Sequence, residues 1–120
     1  MNNIKIKRVY AGPSEEDGYR ILADRLWPRG ISKEKINIGK WAKEIAPSTE
    51  LRKTFKHDPE TMDEFKIRYY FELDNNVHAD EFINLIKDKL NEGNVTLLYA
   101  AKNEDYNHAN VLKEWIEERI

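Results

Sequence analysis

Apolar and polar positions alternate from the start of the chain. Ile4 and Ile6 are interleaved with Lys5 and Lys7, and Val9 and Tyr10 add β preference, so a first strand is expected over residues 3–10. Residues 11–18 are dense in turn formers, and Ser14 with Asp17 has the spacing to cap a single helical turn. From Tyr19 to Leu26 the adjacent apolar residues Ile21, Leu22 and Ala23 mark a second strand, buried on both faces and stopped by Pro28 and Gly30. Trp41 to Ile45 reads as helical, with Ser32 or Gly39 ahead of it and Pro47 ending it.

Helical spacing dominates from Ser48 to Asn91. Ser48 is placed as an N-cap ahead of a stripe of Leu51, Thr54 and Phe55. Asp58-Pro59 is a second helix start, because Asp accepts from first-turn amides and Pro at the first helical position forfeits no bond. Met62, Phe65, Tyr69 and Leu73 carry that helix to about Leu73, and Asn75-Asn76 breaks it. Phe82, Ile83, Leu85, Ile86 and Leu90 predict another helix over 79–91, closed by Gly93. Residues 95–101 lack alternation, as a central strand buried on both faces does, and Ala109, Val111, Leu112, Trp115 and Ile116 define a terminal helix from about Asn107.

Three buried strands separated by helices predict an α/β protein, a small three-layer fold with a short, mostly parallel sheet flanked by helices. The link between the first two strands is shorter than the roughly one dozen residues of a parallel crossover, so an antiparallel first pair is the alternative. No linker, repeat or low-complexity tract divides the chain, and 120 residues are read as one domain, 1–120.

Charge alters this picture little. Charged residues make up 35% of the chain, above a globular average of about 25%, which assigns the excess to helix exteriors. Twenty basic and 22 acidic side chains leave a formal charge of −2, hence no global field for a polyanion. Zero cysteines remove disulfides, thiolate nucleophiles and thiolate metal sites, in keeping with a reducing cytosol. No stretch has the continuous apolar run of a signal peptide or a bilayer span, so a cytoplasmic location without membrane attachment is expected.

Ligands of open parallel sheets bind beyond the carboxyl ends of the strands. Past the second strand lie Asp24, Arg25, Trp27, Arg29 and Lys33; past the third lie Tyr99, Lys102, Asn103, Tyr106, Asn107 and His108. Cations beside an aromatic plane suit a phosphate or carboxylate, which makes Arg25, Trp27, Arg29, Lys33, Tyr99, Lys102 and Asn107 the candidate ligand residues. Asp24, His57 and His108 are the candidates for proton transfer, and the sequence leaves open whether any reaction occurs. Each has a bland alternative: ion pairing for Asp24 and Arg25, helix capping for Asn107, local hydrogen bonding for the histidines. Three scattered histidines show no metal-ligand spacing, and no glycine-rich phosphate loop or dinucleotide fingerprint occurs, so neither metal nor cofactor is indicated.

Asp24-Arg25-Leu26-Trp27-Pro28-Arg29-Gly30, with Trp41, Pro47-Ser48-x-x-Leu51-Arg52, Phe55-x-His57-Asp58, Thr96-Leu97-Leu98-Tyr99-Ala100-Ala101-Lys102 and Asn107, resembles the YeaO-like family of bacterial proteins, domain of unknown function 488. The resemblance runs over nearly the whole chain and implies a small α/β fold and a cytoplasmic bacterial protein, without an activity. Distant relatives in the wider family carry a Cys after the third strand and a Cys-His-Arg triplet at the last helix. The aligned positions are Tyr99 and Asn107-His108-Ala109, of which only His108 matches, so thiol or metal chemistry does not carry over.

Two readings remain. In the first, Arg25, Arg29 and Lys102 hold an anionic group of a small molecule, Trp27 and Tyr99 supply stacking surface, and Asp24 orients the arginines or moves a proton. In the second, the less favoured, the basic stretch from Arg25 to Lys56 serves a non-enzymatic module that binds nucleic acid or protein. Oligomeric state is not encoded in either.

Overall fold

Val95–Tyr99, buried at every position, has strand neighbours on both sides, as its unbroken apolar character requires. The computed structural model describes residues 2–120; Met1 lies outside them. The strands are β1 (Ile4–Arg8), β2 (Tyr19–Leu22), β3 (Lys40–Trp41) and β4 (Val95–Tyr99), in the order β1-β4-β2-β3. All three pairings are parallel, with Ile6 and Ile21 flanking Leu97. The protein is therefore an α/β fold.

Helices α1 (Lys33–Ile36), α2 (Thr49–Thr54), α3 (Pro59–Asp74), α4 (Ala79–Glu92) and α5 (His108–Glu117) complete the architecture. One sheet face, through Ile4, Ile21, Val95 and Leu97, joins a core with Leu51, Phe65, Tyr69, Ile86 and Trp115 from α2 to α5. The other face puts Leu22 and Leu98 against Val9, Ile36 and Trp27, so α1 and its preceding loop form the third layer. The expected caps form at Ser48, Asp58 and Asn107, each accepting an amide of the first turn, and Ser32 caps α1, a short helix that the sequence pattern did not predict. Among the described residues no helix is long and apolar enough to cross a membrane.

Two expectations are corrected. The first two strands are neither antiparallel nor adjacent, because β4 lies between them and is parallel to both. Their short connection, Val9–Gly18, needs no crossover helix; it spans the sheet in two single 3-10 turns. The Asp17 carboxylate anchors it, accepting from the Ser14 amide at 3.0 Å, pairing with Lys7 at 3.1 Å and forming a buried ion pair with Arg20. Arg20 also donates to the Ile36 carbonyl at 2.9 Å, tying the end of α1 to the sheet.

The second correction concerns Trp41 to Ile45, which is not a helix. Lys40–Trp41 is a strand, and only Lys43–Ile45 makes a 3-10 turn. The Gly39 and Ala42 amides each donate at 2.8 Å to carbonyls of β2, so pairing with a neighbour overrides the local helical preference. Strand ends also contract: β1 stops at Arg8 and β2 at Leu22, short of Tyr10 and Leu26.

Candidate functional site

Beyond β2 the ladder with β4 continues through a side chain. The Ala23 amide donates to the Leu98 carbonyl at 3.0 Å, and the Ala100 amide then donates to Asp24 Oδ2 at 2.9 Å. The carboxylate thus stands where a backbone carbonyl would, which fixes its second oxygen. That oxygen, Oδ1, lies 2.7 Å from His108 Nε2 and is buried, with no well-aligned hydrogen-bond donor. The same nitrogen lies 3.2 Å from the Ala23 carbonyl oxygen. Two oxygen acceptors at one nitrogen place a proton on Nε2. His108 Nδ1 has no partner among the described residues.

Asn107 sets this ring in place. It is fully buried, accepts from the Asn110 amide at 3.0 Å and donates to the Asn103 carbonyl at 2.9 Å. All its polar capacity is used in capping α5 and closing the loop before it.

The loop after Asp24 is held just as firmly. The Arg25 guanidinium donates to the carbonyls of Ala46 and Pro47, both at 3.0 Å. Trp27 donates to the Ile31 carbonyl at 2.7 Å and meets Trp41 edge-on at 5.2 Å between centroids, while Trp41 donates to the Asp24 carbonyl at 2.8 Å. Gly30, at φ +81°, takes the turn back toward α1 in backbone that L side chains rarely adopt.

Opposite this loop stands α2, joined to α3 by a bend at His57. The Ser48 amide and hydroxyl both donate to Glu72, at 2.9 and 2.5 Å, clamping the start of α2 to α3. His57 has φ +56°, in the left-handed region, with its carbonyl accepting from Asn103 Nδ2 at 3.0 Å. Its ring lies 4.5 Å from that of Phe55, which stacks on Phe65 at 4.1 Å. Desolvation against this stack, then the charges of His108 and Arg52, push the His57 imidazole below its usual pKa, although the residue as a whole is exposed.

Between the two walls is a cleft of about 520 Å³. Asp24, Arg25, Trp27, Arg29, His57 and His108, all named from the sequence, line it. Lys33, Tyr99, Lys102 and Asn107 do not. Lys33 and Lys102 are exposed elsewhere, and Tyr99 is buried in the sheet, its hydroxyl pushed above the usual tyrosine pKa by that burial and by Glu104. The structure supplies Arg52, Lys53 and Thr49 of α2 instead, together with Tyr10, Phe55 and Phe65. Among the described residues, the side chains of Arg29, Arg52 and Lys53 form no ion pair or hydrogen bond, whereas Lys40 pairs with Glu44 at 3.1 Å and Lys43 sits over Trp41.

The family model described as "Inactive DUF488-N3 subclade" matches residues 3–120. The chain is 47% identical over 114 residues to the protein YeaO of Escherichia coli K12, covering 95% of this chain and 96% of that one. It is 37% identical over 116 residues to Rv3073c of Mycobacterium tuberculosis H37Rv and, equally, to Mb3100c of Mycobacterium bovis, covering 97% of this chain and 95% of each relative. No solved structure matches it.

Proposed function

The chain belongs to the inactive DUF488-N3 subclade, among the YeaO-like proteins, and from that premise we propose that its cleft binds a small phosphate- or carboxylate-bearing ligand. The observation that carries this reading is the set Arg29, Arg52 and Lys53: three cations around one cleft at the carboxyl ends of parallel strands, none spent on a partner among the described residues. Unpaired guanidinium groups beside an apolar floor favour an anion over the neutral or cationic alternative. Arg25 contributes by shaping the loop, since two of its nitrogens already serve backbone carbonyls. A family described as inactive fits binding without covalent chemistry, as does a chain without cysteine in a cytosolic setting.

Thermal unfolding measured with and without phosphate monoesters and carboxylates tests the reading. The wild type and a Lys102→Ala control are expected to gain about 3 kcal/mol at a ligand concentration near 100 times Kd, and an Arg29→Ala/Arg52→Ala double variant little. No anion-dependent stabilisation, or equal stabilisation of all three proteins, overturns it.

A further inference from the structure

Among the described non-glycine residues that line the cleft, His57 alone has a left-handed backbone. An L residue in the left-handed region is strained by about 1 kcal/mol or more, and such strain concentrates where a side chain must be aimed. What the strain secures is an imidazole with one face on Phe55 and no hydrogen-bond partner among the described residues, in a residue that is otherwise exposed. His57, Phe55 and Phe65 form a ladder of rings that all line the cleft; Phe55 and Phe65 are buried, and His57 is the exposed end of the ladder. The depressed imidazole pKa keeps this ring neutral near pH 7, a stacking surface rather than a fourth cation.

We propose that the ligand of this cleft carries a planar aromatic ring that stacks on His57 and an anionic group held by Arg29 and Arg52, the chemistry of a nucleoside monophosphate. This deepens, and rests on, the anion-binding reading. A sugar phosphate satisfies the cations yet offers no apolar face to His57, Trp27 and Tyr10, all of which line the cleft. A heteroaromatic base offers a π-face for stacking and polar edge atoms for His108 Nδ1, which has no partner among the described residues. Arg52, on α2, and His57, in the bend that follows it, line the same cleft, so ring and anion sites lie within one small molecule's reach.

Calorimetric titration of the wild type with inorganic phosphate, ribose 5-phosphate and adenosine 5′-monophosphate tests this. The nucleotide is expected to bind at least tenfold more tightly than ribose 5-phosphate. His57→Asn, which tolerates the left-handed backbone but lacks the ring, is expected to abolish that ratio while keeping the affinity for ribose 5-phosphate. The His57 ring protons of the wild type are expected to move upfield on nucleotide addition. Equal affinities for ribose 5-phosphate and the nucleotide, or an unchanged ratio in His57→Asn, overturn the aromatic proposal and leave the anion site standing. Failure of all three compounds to bind removes both.

Discussion

Asp24 and His108 meet at 2.7 Å, with Asp24 Oδ2 already committed to the Ala100 amide and His108 Nε2 shared between Asp24 Oδ1 and the Ala23 carbonyl. The pair closes the seam where β2 and β4 end, so the same contact serves the fold and the cleft wall.

Asp24→Asn is therefore expected to act on the proton of its neighbour. The Asn oxygen must accept from Ala100, which turns the NH2 group toward Nε2, and two donors then face each other. His108 is then expected to carry its proton on Nδ1 instead, with a stability loss of about 1–3 kcal/mol as the Ala23 carbonyl loses its donor. Long-range nitrogen–proton NMR correlations distinguish the tautomers; an unchanged Nε2–H form would contradict the assignment.

Arg25→Lys separates geometry from charge. A lysine retains the charge but cannot donate in a fork to the Ala46 and Pro47 carbonyls, so a loss of about 2 kcal/mol is expected in urea unfolding. A substitution without effect on stability would mean that the two carbonyls are satisfied by water.

Which of these features the sequence discloses depends on how locally each is determined. Ser48, Asp58 and Asn107 are legible as caps because a cap needs only its own next three residues. Burial of β4 on both faces is legible because every side chain must be apolar or, like Thr96, satisfied; its hydroxyl donates to the Asp17 carbonyl at 2.7 Å. Lys40–Trp41 is not legible, since its strand state exists only through β2. The cleft is half legible. Asp24 and His108 emerge from the rule that parallel strands bind at their carboxyl ends, but nothing in local spacing says that Lys102 turns away. Arg52 reaches the cleft because Glu72 and Arg25 hold the two ends of the Ala46–Ser48 segment, a tertiary arrangement. The family motif, containing both Arg52 and His57, was the available signal.

The buried Asp17 gives a pH test with a definite sign. Burial alone raises its pKa, but hydrogen bonds from Lys7, Ser14 and Arg20 outweigh that and hold it at about 2, against an ordinary 3.8. A depressed carboxylate stabilises the fold above its unfolded pKa and loses that contribution as pH falls toward the folded value. About 2 kcal/mol is therefore expected to disappear between about pH 4.5 and pH 2, with an apparent slope that Asp17→Asn removes. That variant also strands the Arg20 guanidinium, only 4% exposed, at a cost of about 3–5 kcal/mol at neutral pH. Urea midpoints across this pH range measure both effects.

Gly18 is expected to be irreplaceable for two separable reasons. Its φ of +64° disfavours any L side chain, and an added Cβ would stand 2.0 Å from the Asn94 carbonyl oxygen. That oxygen accepts from the Tyr19 amide at 2.8 Å, and the Asn94 side chain is bonded to Asn3 and Glu16, so the backbone there has no freedom to retreat. Gly18→Ala is expected to cost about 3 kcal/mol or more, against about 1–2 kcal/mol for Gly12→Ala, where φ is also positive but the space is open. Similar costs at both sites would show that conformation alone matters.

Glu72 tests whether α2 is positioned rather than merely present. Its carboxylate takes both the amide and the hydroxyl of Ser48, and Ser48 in turn accepts from the Leu51 amide, so one side chain of α3 fixes the first turn of α2. Arg52 and Lys53 come immediately after that turn. Glu72 does not line the cleft, so Glu72→Ala removes no ligand contact. Its expected effects are a stability loss of about 1–3 kcal/mol and a fall in phosphate-ester affinity of about tenfold, with Glu72→Gln recovering part of each because an amide oxygen can still accept one bond. Unchanged affinity beside lost stability would show that Arg52 finds the anion without a fixed helix beneath it.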